Sequence, residues 1–297
     1  MTCERNLEVL MKDKKETGLG SYSTQYRLLI IGTGITGNTV IQNIKEQGID
    51  GLKYLTIDEH SSGSLEKNLK RTDMAVIVYD SCEKYDLVKK ALNVCKGIDG
   101  MTTIAVVRSP FGYEQAKVRT VAKRNIRKIL DKVDVFIEIS SASIGKLPEN
   151  SGLPDDKLEL KSVNALKSVV LDIKNMIDTL SRSDMKMNFN DLRDALKNKG
   201  QSYIGVGEGE GKEKAAKAID QAINNPLMTI GIKWAKSIVI SVIGNIGLKD
   251  TEIIEDFFLD MLGEDIDILF CITKEKTRGD RIRLTILAAG IEGEIGD

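Results

Sequence analysis

Arg27-Leu28-Leu29-Ile30-Ile31-Gly32-Thr33-Gly34-Ile35-Thr36-Gly37-Asn38 decides the fold. Leu28 to Ile31 is a continuous apolar run that reads as a strand buried on both faces, and the helical spacing of Val40, Ile41 and Ile44 follows the glycines directly. Strand, glycine loop and helix in that order open a parallel, doubly wound sheet. Gly32, Gly34 and Gly37 permit a tight turn, close ligand approach and free N–H groups at a helix N-terminus, which make an anion site without any side-chain charge. A nucleotide phosphate is the natural occupant; a purely structural strand-to-helix turn is the alternative. Asp58, about 20 residues beyond Gly37, also fits the acidic ribose ligand of a dinucleotide fold, so NAD-dependent chemistry stays open. No GK[ST] ends the loop, which excludes a P-loop kinase or ATPase.

Outward from this loop, Leu52 to Ile57, Met74 to Tyr79, Thr103 to Val107 and Val135 to Ile139 read as further strands, with helical patterns at Glu83 to Cys95 and Tyr113 to Leu130. These make residues 27–157 a nucleotide-binding-type α/β domain, preceded by a polar extension at residues 1–26. After the turn-rich Pro148 to Asp156, apolar residues from Leu158 to Leu180 keep helical spacing, giving a long central helix over residues 158–182. Residues 183–297 form a smaller α/β domain. Its helices lie near Asn190 to Lys199, Lys212 to Ile223 and Thr251 to Met261, and its strands near Tyr203 to Val206, Ile238 to Ile243, Ile266 to Thr273 and Arg281 to Ala288. Only the turn Lys276 to Asp280 separates the last two strands, which predicts an antiparallel or mixed sheet there.

The chain has 297 residues, and its 44 acidic and 43 basic side chains give no global electrostatic reason to bind nucleic acid or an anionic membrane. Cys3, Cys82, Cys95 and Cys271 show no CxxC spacing, and the single histidine, His60, lies in a polar stretch; no metal site is predicted. No apolar run is long enough to span a bilayer, and residues 1–26 lack a secretory core, so the expectation is a cytoplasmic protein with no direct membrane insertion.

The second half narrows the reading, because Gly32 to Asn38 followed by so long a helix and a further α/β domain resembles the FtsZ/tubulin family. Other segments carry the resemblance from about Arg27 to Gly290. They are Gln47 to Leu52, Pro110-Phe111-Gly112-Tyr113-Glu114, Asn188-Phe189-Asn190-Asp191, Ile204-Gly205-Val206-Gly207, Asn224-Asn225-Pro226-Leu227 and Gly279-Asp280-Arg281-Ile282-Arg283-Leu284-Thr285. The resemblance implies head-to-tail filaments with GTP held between one subunit's first domain and the next subunit's synergy loop. It assigns GTP or GDP contacts to Gly32, Gly34, Gly37, Asn38 and Glu114, with Asn164 on the long helix reading the guanine, and it places Asp191 and Asn188 in the hydrolytic synergy loop.

Departures from the pattern bear on function. Where the family has its GGGTGTG loop, this chain has Asp80-Ser81-Cys82-Glu83-Lys84-Tyr85-Asp86, without a glycine. A single carboxylate about 5 Å from a phosphate charge, at an effective dielectric near 20, costs about 3 kcal/mol, roughly a hundredfold in affinity. The segment from Asp58 to Asp73 is short, the synergy loop carries Lys186 and Asn188 where the family has Asn and Asp and keeps only Asp191, and Ser140-Ser141-Ala142 replaces a ribose-contacting Pro-Asn-Asp. The expectation is a degenerate FtsZ-like protein with weak or no GTP binding and hydrolysis, acting by self-association or on an FtsZ-type partner. An active filament GTPase with an unusual phosphate loop is the alternative, and an NAD-dependent enzyme the lesser one.

Overall fold

The computed structural model describes residues 27–49, 52–58, 72–182, 189–263, 266–275 and 279–291. Five strands, β1 (Leu28–Thr33), β2 (Lys53–Ile57), β3 (Met74–Asp80), β4 (Thr102–Ser109) and β5 (Val135–Ser140), run parallel in the order 2-1-3-4-5. This order differs from the 3-2-1-4-5-6 arrangement of the dinucleotide fold. Crossover helices cover both faces: α1 (Gly34–Glu46) on one, and α2 (Tyr85–Lys96) and α3 (Ala116–Leu130) on the other, as right-handed parallel connections demand. A short α4 (Ser141–Lys146) follows β5.

The long helix, α5, runs from Asp155 to Arg182, 28 residues, and starts before the apolar stripe because Asp155 and Asp156 occupy its first turn. Leu166, Val170, Ile173 and Ile177 on its inner face pack with Val40, Ile41 and Ile44 of α1 against β1, β3 and β4. The second half adds α6 (Phe189–Leu196), β6 (Gly200–Glu210), α7 (Lys214–Ile223), β7 (Ser237–Gly244), α8 (Leu248–Leu262), β8 (Asp267–Lys274) and β9 (Arg281–Ala289).

Its strands do not form a separate sheet. β6 pairs with β5 through three residues, and the order continues as β6-β9-β7-β8, so nine strands make one sheet in which β9 alone is antiparallel to its neighbours. The turn before β9 therefore does not close a hairpin with β8; β9 inserts between β6 and β7. Gly205 and Gly207 let α7 cross β6 closely, since a Cβ there would come within 1.8 and 1.9 Å of the Ala222 and Ala218 carbonyl oxygens. Arg283 of β9 ties this half to α5 by bonding Asp172 at 2.6 Å and Glu208 at 2.6 Å.

Candidate functional site

The carboxyl ends of β1, β3 and β4 meet the N-terminus of α1, as the β1–β3 register pairs Gly32 with Val78. Gly37 allows α1 to sit on β3, because a Cβ on it would lie 2.4 Å from the Val78 carbonyl oxygen. Gly34 adopts φ +71°, open to glycine at little cost. It also leaves room for a side chain from the next crossover: a Cβ on Gly34 would fall 1.4 Å from Oε2 of Glu83.

Glu83 lies across the anion site of the glycine loop. Its Oε1 accepts the Thr36 N–H at 2.8 Å and its Oε2 the Ile35 N–H at 3.1 Å. A carboxylate on the first free N–H groups of a helix is favoured by the helix dipole, as a phosphate would be. Burial nevertheless holds the Glu83 carboxyl above the usual carboxylate range, outweighing those N–H bonds, and neighbouring Asp80 adds to the rise.

The loop that presents Glu83 is anchored from below. The Tyr79 hydroxyl donates to the Glu83 carbonyl at 2.6 Å, and the Asn125 amide of α3 donates to the carbonyls of Ser81 (2.9 Å) and Glu83 (3.2 Å). Ser81 donates its N–H and hydroxyl to the Arg108 carbonyl at 3.0 and 2.7 Å. Buried polar groups satisfied this fully fix one conformation.

Asp80 is paired as well. Its carboxylate receives Arg108 Nη2 at 2.5 Å and Nε at 2.8 Å, the Thr36 hydroxyl at 3.1 Å and the Cys82 N–H at 2.8 Å. Arg108 and Asp80 side chains are only 6% and 3% exposed, and Nη1 of Arg108 reaches Glu159 of α5 at 2.5 Å. The repulsive acidic cluster expected from Asp80, Glu83 and Asp86 is thus not formed: Asp80 is neutralised by Arg108, Glu83 is held by backbone donors, and Asp86 sits exposed in the first turn of α2.

Of the residues singled out from sequence, Gly32, Gly34, Gly37, Asn38 and Glu114 gather at this end of the sheet. Glu114 closes its own turn, accepting the Phe111 N–H at 3.1 Å and the Cys82 thiol at 3.6 Å; burial and the carboxylates of Asp80 and Glu114 push that thiol's pKa up. Asn38 donates to the Ile57 carbonyl at 3.4 Å, while its Oδ1 is buried without a partner. Asn164 is half-buried on α5, five residues beyond Glu159.

Asp191 lies elsewhere. It is exposed in the first turn of α6, whose following residues Asn198, Lys199 and Gly200 bond Asp134 at the amino end of β5. Because β3, β4 and β5 are parallel, this tie to the amino end of β5 places the helix of Asp191 at the opposite end of the sheet from Glu83, which follows the carboxyl end of β3. Asn188 and Lys186 lie outside the described residues.

Sequence reading assigned no role to Arg108, Tyr79, Asn125 and Glu159. Two signals pointed to Arg108 and Asn125: a charge ending the apolar run Ile104 to Val107, and an amide inside the Ala122, Ile126, Ile129 stripe. Each is a buried polar group that requires a partner.

Residues 200–292 match the model of the FtsZ family, C-terminal domain. The chain is 26% identical over 284 residues to the cell division protein FtsZ of Methanothermobacter thermautotrophicus, which covers 91% of this chain and 69% of that relative. Against FtsZ of a Wolbachia species, also 26% identical, it spans 48% of the relative's length. Among solved structures, an FtsZ dimer of M. jannaschii superposes with a TM-score of 0.70 at 20% identity, over 96% of this chain and 92% of that one. A CetZ of Haloferax volcanii, solved as a GTPγS-bound protofilament, superposes at 0.65 with 11% identity, over 90% and 93% of the two chains. The fold from β1 to β9 and the match across the second half give a single conclusion: the chain has the FtsZ/tubulin-like fold, and its residues 200–292 are those of an FtsZ C-terminal domain, while residues 80–86 carry no glycine.

Proposed function

We propose that this protein is an FtsZ-like cytoskeletal subunit that works by association, with itself or with an FtsZ-type partner, and not by GTP turnover. The observation that carries the reading is Glu83, whose carboxylate takes the Ile35 and Thr36 N–H groups that a phosphate would need. A triphosphate entering there meets a fixed anion, and displacing Glu83 strips the α1 N-terminus of its acceptor while leaving the carboxylate in a buried setting. The residues present therefore do not fit a triphosphate.

Self-association is supported by the protofilament form of the CetZ neighbour and by the opposite placement of the two regions, Glu83 beyond the carboxyl end of β3 and the helix of Asp191 tied to the amino end of β5, which head-to-tail stacking of two copies would bring together. A role in cell division follows the FtsZ relatives. The test is assembly followed by sedimentation and light scattering, alone and mixed with an FtsZ of the same cell. Concentration-dependent assembly, or altered assembly of the partner, that is indifferent to GTP and GDP is expected; assembly that requires GTP would overturn the reading.

A second reading has one observation in its favour. Asn38 Oδ1 is a buried acceptor without a partner, as a contact to an absent ligand would leave it. In that reading Glu83 swings away when nucleotide arrives and the protein is an active filament GTPase; phosphate release on adding GTP would be its signature.

A further inference from the structure

The near-zero net charge hides a basic layer on the face of the sheet opposite α1 and α5. Helices α2 and α3 carry nine basic side chains and one acidic one, Asp86, which leaves 34 basic against 43 acidic elsewhere. Their apolar stripes, Val88, Ala91, Leu92 and Cys95 on α2 and Ala122, Ile126 and Ile129 on α3, pack on one face of β1, β3 and β4, so the two helices lie side by side as one layer. The cations therefore point outward: Lys89, Lys90, Lys96, Lys117, Arg124, Arg127 and Lys128 are all exposed, and none has an ion-pair partner among the described residues. Lys128 lies over the Tyr85 ring at 4.8 Å, which covers the aromatic face of α2.

From this geometry we infer that the α2–α3 layer docks on the anionic surface of a lipid bilayer, lying on it without insertion. Charge complementarity selects an extended anionic partner. Two helices flat on a sheet present a plane about 20 Å long at ~1.5 Å per residue, matching another plane. None of the exposed large apolar side chains, Ile35, Tyr113, Leu160, Trp234, Leu248 and Ile253, is on α2 or α3, so attraction is electrostatic, and no helix among the described residues is long and apolar enough to cross a membrane. Nucleic acid is less well served, because the layer offers no uncovered ring for base stacking and no projecting element for a groove. A second copy is the weaker fit: along α8, Glu252, Asp256 and Asp260 set three carboxylates against nine cations, and the exposed Asp155 and Asp156 at the start of α5 add two.

Flotation with phosphatidylcholine vesicles, with and without about 30% phosphatidylglycerol, tests this at about 0.05 M and 0.5 M salt. Binding to the anionic vesicles alone, abolished at high salt, is expected. At about fivefold per cation, K89A/K117A/R124A/R127A loses more than a hundredfold in affinity with its circular dichroism unchanged. The control K212A/K233A/K249A, which removes three exposed lysines from the second half, keeps its binding. Three results would overturn the inference: no vesicle binding, equal loss in the control, or tighter salt-sensitive binding to duplex DNA or to a second copy than to vesicles.

Discussion

Two charged regions of this molecule use their charge in opposite ways. At the carboxyl end of β3, Asp80, Glu83, Arg108 and Glu159 are each matched inside the chain, by one another or by backbone N–H groups. On α2 and α3, exposed cations stand without an ion-pair partner among the described residues. Charge matched internally fixes a loop and closes a site, whereas unmatched charge at a surface is available to something else. The region where the family's signature loop would lie is thus built like a core, and the layer behind it like a docking face.

The sharpest way to break this contrast is to unmatch the first region. Arg108→Ala leaves Asp80 buried without its cation and should cost about 3–5 kcal/mol, read as a fall in the urea midpoint with unchanged slope. Asn125→Ala comes next: it strips the Ser81 and Glu83 carbonyls of a donor, and about 1–3 kcal/mol is expected in the same measurement.

A smaller effect separates Glu83 from its neighbours by pH. Its folded-state pKa is raised by burial, so its contribution is most favourable below the unfolded value of about 4.3 and is lost as pH rises through the folded value. Glu83→Gln removes this titration, and the difference in melting temperature between variant and wild type should move in favour of the variant from about pH 4 to pH 7; a constant difference would mean that Glu83 is not held in this environment. Smallest of all, the quadruple alanine variant of Lys89, Lys117, Arg124 and Arg127 should alter folding stability by less than about 0.5 kcal/mol, since those side chains contribute nothing to the fold.

How much of this was legible in the sequence follows from how local each feature is. The apolar run Leu28 to Ile31 and the glycines after it specify β1 and α1 by themselves, and the stripe from Leu158 to Leu180 specifies α5 to within its polar ends. Helix α4 was missed because Ser141 to Lys146 is shorter than two turns and carries no period. The single nine-stranded sheet was not legible either, because it rests on a three-residue pairing of β5 with β6 and on β9 inserting between strands that precede it.

In the site, the absence of glycine from Asp80 to Asp86 was visible, and so was the presence of carboxylates. What was not visible is that Glu83 binds the chain's own α1. That depends on the register of β3 against β1, which carries residue 83 over Gly34, a relation across 49 residues that no local pattern encodes. Taken as repulsion, the acids argued against a phosphate; in the fold, one of them takes the phosphate's place.

The central claim is that this substitution is complete, and calorimetric titration of the purified protein with GTP and with GDP tests it most directly. The account predicts no binding heat with either nucleotide for the wild-type chain, whereas micromolar binding of GTP with Glu83 intact would contradict it.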